Sequence, residues 1–169
     1  MDREQTMQAE VEKAVTYNEM RITFDAVSIN ESFARIVVAA FVTPLNPTME
    51  EISDIKTAIS EAVTNSIIHG YDGEVVSASG TRNQIEMCCI LEGDVLHVEI
   101  KDAGKGIVDI EQAMEPLFTT KPEMDRSGMG FAFMEAFMDD LEVVSEPGCG
   151  TSVLMKKKLG TTSWLRLKE

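Results

Sequence analysis

Apolar residues recur at steps of three and four from Ile52 through Ile55, Ile59, Ala62 and Val63 to Ile67, which at about 3.6 residues per turn gathers them on one helical face. Thr48 precedes the run, Glu50 and Glu51 occupy its first turn, where the N-terminal dipole favours anions, and Gly70 closes it. The predicted helix has an apolar band wide enough to pack on a sheet. Off that band lie Glu61, Asn65 and His69, four residues apart, so a carboxylate, an amide and an imidazole share one stripe. Upstream, Arg21 to Val27 alternates, with Ile22, Phe24 and Ala26 on one side, as a half-buried strand does. A second helix follows, capped by Ser28 or Asn30. Phe33, Ile36, Val37, Ala40 and Phe41 are its predicted core face before Pro44 and Pro47 interrupt the run. Glu31 and Arg35 stand one turn apart on the other face, where they read either as a solvent-exposed ion pair or as part of a partner surface.

Asp72 to Arg82 is rich in Gly, Ser and Asp and predicts a surface loop. Gln84 to Leu91 and Val95 to Lys101 read as two strands joined by Glu92-Gly93-Asp94, with Leu96, Val98 and Ile100 facing one way and His97 the other, as an exposed sheet residue. Asp109 to Ala113 predicts a short helix, Met114 to Arg126 a long connection of the kind that forms lids or binding loops, and Phe131 to Met138 another helix. Leu141 to Ser145 and Thr151 to Met155 form a closing hairpin around Glu146 to Gly150. The first 18 residues carry Met7, Val11, Ala14 and Val15 at spacings that suit a short helix, although their polar composition equally suits disorder. The expected organisation is an N-terminal extension over 1–19, one domain over 20–158 and a tail over 159–169, for which docking and fraying both remain open.

A chain of 169 residues with 44% hydrophobic residues can bury a core without disulfides or metals. It has no apolar run of 18 residues to span a membrane, and Met1 to Tyr17 is polar and acidic, unlike a signal peptide. The expected location is the cytoplasm. Three cysteines agree with reduced thiols: Cys88 and Cys89 are neighbours in a strand and point to opposite faces, and Cys149 lies in a turn. The formal net charge of −14 disfavours nonspecific nucleic-acid binding and favours a basic protein partner or a cation-shielded anion.

Three stretches carry candidate chemistry. An Asn side chain can offer a carbonyl oxygen to a hard cation, and a Glu one turn away can accept a proton or orient a water, although the same residues also decorate ordinary amphipathic helices. Asp102-Ala103-Gly104-Lys105-Gly106 follows a strand directly, and its two glycines let the backbone approach a flat ligand while an Asp accepts an amino hydrogen. Turns after strands often hold Asp and Gly without any ligand. Ser127-Gly128-Met129-Gly130 opens a helix, where bare N–H groups and the dipole receive phosphates. No GxGxxG follows the first strand and no P-loop string occurs.

Taken together, Glu61-x3-Asn65-x3-His69-Gly70, Asp102-x-Gly104-x-Gly106, Phe118-Thr119-Thr120-Lys121, Gly128-x-Gly130 and Gly150-Thr151 resemble the GHKL ATPase/kinase superfamily over residues 20–158. The resemblance implies an α+β fold of the Bergerat type, a two-layer α/β sandwich with a mixed, mainly antiparallel sheet and helices on one face. The stretches Asn30 to Arg35, Ser60 to Tyr71, Pro116 to Pro122 and Arg126 to Phe131 resemble the sporulation anti-sigma F factors, serine kinases that also hold a sigma factor. By motif, the resemblance makes Asn65 the Mg²⁺ ligand, Glu61 the general base or water-positioning residue, and Asp102 the adenine-reading acid. It implies that Gly104 and Gly106 shape the adenine pocket and that Thr151 lies near adenine. Arg126, Ser127, Gly128, Met129 and Gly130 would wrap the triphosphate of ATP, with Lys121 as a charge partner in the lid. The implied partners are a sigma F factor, gripped in part through Glu31 and Arg35, an anti-anti-sigma protein phosphorylated on serine, and a second copy in a homodimer. Direct contact with nucleic acid or a membrane is not expected. A nucleotide-binding anti-sigma module without kinase turnover is the alternative. Histidine kinases and gyrase-type clamps are disfavoured, because each needs a further domain for which this chain has no room.

Overall fold

The computed structural model describes residues 17–118 and 128–160. The segment around Met7 to Val15, the tail with Trp164, and the stretch from Thr119 to Ser127 lie outside the described residues. In chain order the elements are strand β1 (Tyr17–Asp25), helix α1 (Ile29–Phe41), helix α2 (Met49–Asn65), strands β2 (Gln84–Glu92) and β3 (Val95–Asp102), helices α3 (Ile110–Met114) and α4 (Gly130–Phe137), and strands β4 (Asp140–Glu146) and β5 (Gly150–Lys158). The strands form one sheet in the order β1-β2-β3-β5-β4, and all four pairings are antiparallel. The mixed character expected from the family pattern is therefore absent among the described residues.

The register explains which side of the sheet is covered. Ile22, Met87, Ile100, Val153 and Val143 form one row across the strands, and Met20, Cys89, Val98, Met155 and Leu141 form the next. Met87, Ile100, Cys89, Val98, Val153 and Met155 are buried, under Ile55, Ile59, Ala62 and Val63 of α2 and Met134 of α4. The alternate rows carry Arg21, Glu99, Glu142 and Lys156 and are largely polar, so the helices lie on one face of a two-layer α+β sandwich. Burial pushes the Cys89 thiol up to about 12, which leaves it an inert packing group. His97 lies on the polar face, half-buried rather than fully exposed.

Two details of the helices matter for the site. Helix α2 begins with a capping box: the Thr48 Oγ1 accepts from the Glu51 N–H at 3.1 Å, and the Thr48 N–H donates to Glu51 Oε2 at 2.6 Å. It ends in a π turn over Ser66–Gly70, closed by the Tyr71 N–H on the Ser66 carbonyl at 3.0 Å. At the other end of the α2/α4 seam Lys157, buried on the core side of β5, donates to Asp54 Oδ2 at 3.2 Å and to the Phe137 carbonyl at 2.6 Å. One cation thereby ties α2, the last turn of α4 and the sheet together.

Helix α1 corrects the sequence reading. Its buried residues are Ala34 and Val38, with Val37 and Phe41 packed at the margin, whereas Phe33 is 47% and Ile36 66% exposed, and Ala40 is exposed as well. The helix is apolar around most of its circumference, so spacing alone does not choose the buried face. The small Ala34 does, because it lets the backbones of α1 and α2 approach. Glu31 is likewise not on a free face. It accepts a hydrogen bond from Ser60 of α2, and its Oε1 lies 2.9 Å from Arg35 Nε, out of line for a hydrogen bond but close enough for an ion pair. The fold therefore gives Glu31 a packing role between helices and leaves Arg35 the more exposed of the two.

Candidate functional site

The polar stripe of α2 and the start of α4 meet. A Cβ added at Gly130 would lie 3.1 Å from Glu61 Oε2 and 3.2 Å from both Asn65 Oδ1 and Nδ2. Glycine at the first position of α4 thus allows the helix N-terminus to sit directly against the carboxylate and the amide. Beside this junction a cavity of about 500 Å³ opens between α2, the connection after β3 and α4. Asn65, Asp102, Gly106, Gly128, Gly130 and Thr151 are on its wall. Glu61 borders Gly130, Gly104 packs on the Gly70 backbone, and Met129 is half-buried next to Gly130. Lys121, Arg126 and Ser127 lie outside the described residues.

Asp102 is 4% exposed because it continues the inward-facing positions Leu96, Val98 and Ile100 of β3. Burial pushes its carboxyl above the usual range, and hydrogen bonds from the Gly104 N–H at 2.9 Å, the Ser66 hydroxyl and the Thr151 backbone oppose that shift. Gly70, at the end of the π turn, is seated against this acid: a Cβ there would lie 3.0 Å from Asp102 Oδ1. Its carbonyl accepts from the Lys105 N–H at 3.0 Å. Gly106 has φ +71° and a Cβ there would fall 2.1 Å from the Glu146 carbonyl oxygen, so the loop after β3 folds against the β4–β5 turn as only glycine permits. The same contact is supported by the Gly148 N–H on the Lys105 carbonyl at 2.7 Å. Ser145 Oγ then links three groups, accepting from the Ile107 N–H at 2.8 Å, donating to the Gly150 carbonyl at 2.9 Å and lying 2.9 Å from Thr151 Oγ1.

Phe118 also lines the cavity, and the Leu117 N–H donates to the Gly128 carbonyl at 2.8 Å. The sequence reading missed Ser66, Tyr71 and Ser145, whose contribution is a hydroxyl aimed at backbone or carboxylate across long sequence separations. Only Ser66 left a signal, since it directly follows Asn65 on the site helix. Ile107, Ala113 and Val153 supply apolar wall that no motif marks, joined by Phe131 at the end of the Arg126 to Phe131 stretch. Together these groups offer a cavity with a buried acid in its wall and, at the α4 N-terminus, an amide with a carboxylate beside it, which suits a purine base continued by phosphates.

Comparison with known proteins bears on the family. The family model described as Histidine kinase-like ATPase domain matches residues 25–157. The anti-sigma F factor of Oceanobacillus iheyensis is 53% identical over 142 residues, which cover 84% of this chain and 93% of that protein. Those of Geobacillus kaustophilus and Clostridium acetobutylicum are each 51% identical, over 88% and 83% of this chain and 97% and 94% of theirs. Among solved structures, the RsbU and RsbW domains of a Mycobacterium tuberculosis protein superpose with a TM-score of 0.59 at 21% identity, over 84% of this chain and 32% of that one, a likeness of fold. The chain belongs to the histidine kinase-like ATPase domain family, the GHKL superfamily of its sequence motifs, and within it to the anti-sigma F factors.

Proposed function

We propose that this protein is an ATP-dependent protein serine kinase that also sequesters a sigma factor, with an anti-anti-sigma protein as its phosphoryl acceptor. What supports the reading is the meeting of Glu61, Asn65 and Gly130 within van der Waals reach beside the Asp102 slot. Phosphoryl transfer needs positioning and charge neutralisation above all. The amide oxygen of Asn65 would hold Mg²⁺, a hard cation that takes oxygen ligands. When bound, the ion neutralises charge on the phosphates. The N–H groups at the start of α4 receive the phosphate oxygens, and Glu61 accepts the proton of the acceptor serine as its Oγ bonds to the terminal phosphorus and the bond to ADP breaks. Lys121, Arg126 and Ser127 are assigned to the triphosphate by motif. The alternative is a module in which nucleotide is bound but not turned over. Incubation with labelled ATP and an anti-anti-sigma protein separates the two: label on the acceptor serine is expected, and ATP binding without transfer would overturn the kinase reading.

The assignment of Asp102 to adenine has its own expected outcome. Asp102→Asn weakens ATP binding by about 1–3 kcal/mol, the cost of removing an acceptor from a buried amino group. Loss of binding is separable from loss of fold. A carboxyl whose pKa is raised by burial supports the folded state below its ordinary range, and that support is lost as pH rises through the shifted value. The uncharged amide carries no such burden at neutral pH. Calorimetric titration at pH 7 beside a thermal melt checks both halves, and equal affinity of wild type and variant for ATP would remove Asp102 from the adenine site.

For the sigma factor, the names of the relatives support a contact, and half-buried Arg35, the more exposed partner of its pair with Glu31, is assigned to it on α1, in a proposed homodimer whose first helices contribute. A net charge of −14 would assist encounter with a basic partner. Arg35→Ala is expected to weaken sigma F binding by about 2 kcal/mol or more while ATP binding stays unchanged. Titration with sigma F reads this directly, and unchanged affinity would return Arg35 to an ordinary helical ion pair.

A further inference from the structure

The ladder between β2 and β3 ends at the pair Ile85 and Asp102. The next two groups that a continuing ladder would use, the Gln84 carbonyl and the Ala103 N–H, do not bond each other. The hydroxyl of Tyr71 stands between them, donating to the Gln84 oxygen at 2.6 Å and accepting from the Ala103 N–H at 2.8 Å. Tyr71 is itself fixed at the exit of the π turn by its own N–H on Ser66. We infer that Tyr71 is a specificity-determining positioning residue, whose hydroxyl wedges β2 and β3 apart and fixes the backbone of the 102–105 loop from which the base is read.

The chain of contacts is short. Ala103 is bonded covalently to Asp102, and Gly104, one residue on, donates its N–H to Asp102 Oδ1 at 2.9 Å. A loop free to rejoin the ladder at Ala103 would rotate the peptide after Asp102 and carry the carboxylate with it. Burial raises the Tyr71 phenol, so it keeps its proton and remains a donor to Gln84 at neutral pH. The bridge joins the Gln84 carbonyl and the Ala103 N–H, neither of which belongs to the Glu61, Asn65 and Gly130 junction. The hydroxyl should therefore govern discrimination between bases more than affinity for phosphates.

This inference rests on the reading of Asp102 as the adenine acid, and the test separates the two. Tyr71→Phe removes one oxygen and leaves the ring. The ratio of ATP to GTP affinity is expected to fall by about five- to tenfold, the range of one or two hydrogen bonds, with the affinity lost mainly from ATP. A residue that only supports the fold would lower the melting temperature and leave that ratio alone. Hydrogen exchange at the Ala103 amide reads the bridge without any substitution: it is expected to be protected in the wild type and to exchange faster in Tyr71→Phe. Wild-type protein that binds ATP and GTP equally would overturn the adenine reading and this inference with it. A wild type that prefers ATP, with the ratio kept in Tyr71→Phe, would overturn the role of Tyr71 alone, as would an unprotected Ala103 amide in the wild type.

Discussion

Glu61→Gln is expected to lower phosphoryl transfer to an anti-anti-sigma serine by about 10²–10⁴-fold, the contribution of a positioned general base, while ATP binding stays close to that of the wild type. The geometry favours so clean a separation. The atom nearest to an added Gly130 Cβ is Glu61 Oε2, so a Gln of the same shape leaves the seat of α4 intact. What the amide lacks is the capacity to take a proton. Single-turnover transfer measured beside equilibrium ATP binding gives both quantities. Transfer within tenfold of wild type would assign Glu61 to orientation or packing instead of base chemistry, and a parallel loss of ATP affinity would assign it to the binding step.

Why Glu61, Asn65 and Asp102 were legible from sequence while Tyr71 and Ser145 were not follows from range. Glu61 and Asn65 are one helical turn apart, so spacing alone puts them on one stripe, and Asp102 continues the alternation of Leu96, Val98 and Ile100, so the pleat alone buries it. Tyr71 acts on residues 13 and 32 positions away and Ser145 on one 38 positions away, contacts that exist only once the strands are paired. The π turn at Ser66–Gly70 was invisible for a related reason. Spacing predicted one unbroken helix to Gly70, whereas the wider turn is what brings Gly70 to Asp102. Helix α1 shows the converse limit, since Ile29, Phe33 and Ile36 look like core residues by composition and are exposed, and the buried face is chosen by Ala34. Besides its expected ion pair with Arg35, Glu31 takes a hydrogen bond from Ser60, which no spacing within one helix reveals because Ser60 lies on another.

The last expected result concerns Gly104, where backbone meets backbone. A Cβ there would lie 2.3 Å from the Gly70 carbonyl oxygen, 2.5 Å from its carbon and 2.7 Å from its Cα, and none of these atoms can rotate away as a side chain would. Gly104→Ala must therefore push the π turn and the loop after β3 apart. That movement breaks the Lys105 N–H bond to Gly70 and pulls on the Tyr71 bridge, both of which hold Asp102. Overpacking of this kind costs about 1–3 kcal/mol and more where backbone is displaced. For a chain of this size each kcal/mol lowers the melting temperature by about 2–4 °C. ATP affinity should fall further than stability alone requires, because the Gly104 N–H that orients the Asp102 carboxylate moves with the loop. Gly93→Asn is the matching control: Gly93 has φ +61° with open space around its Cβ position, and Asn tolerates that backbone conformation, so little change is expected in either measurement. A Gly104→Ala protein that melts with the wild type and binds ATP equally well would mean that the approach of Gly70 to Gly104 is not what builds the base end of the site.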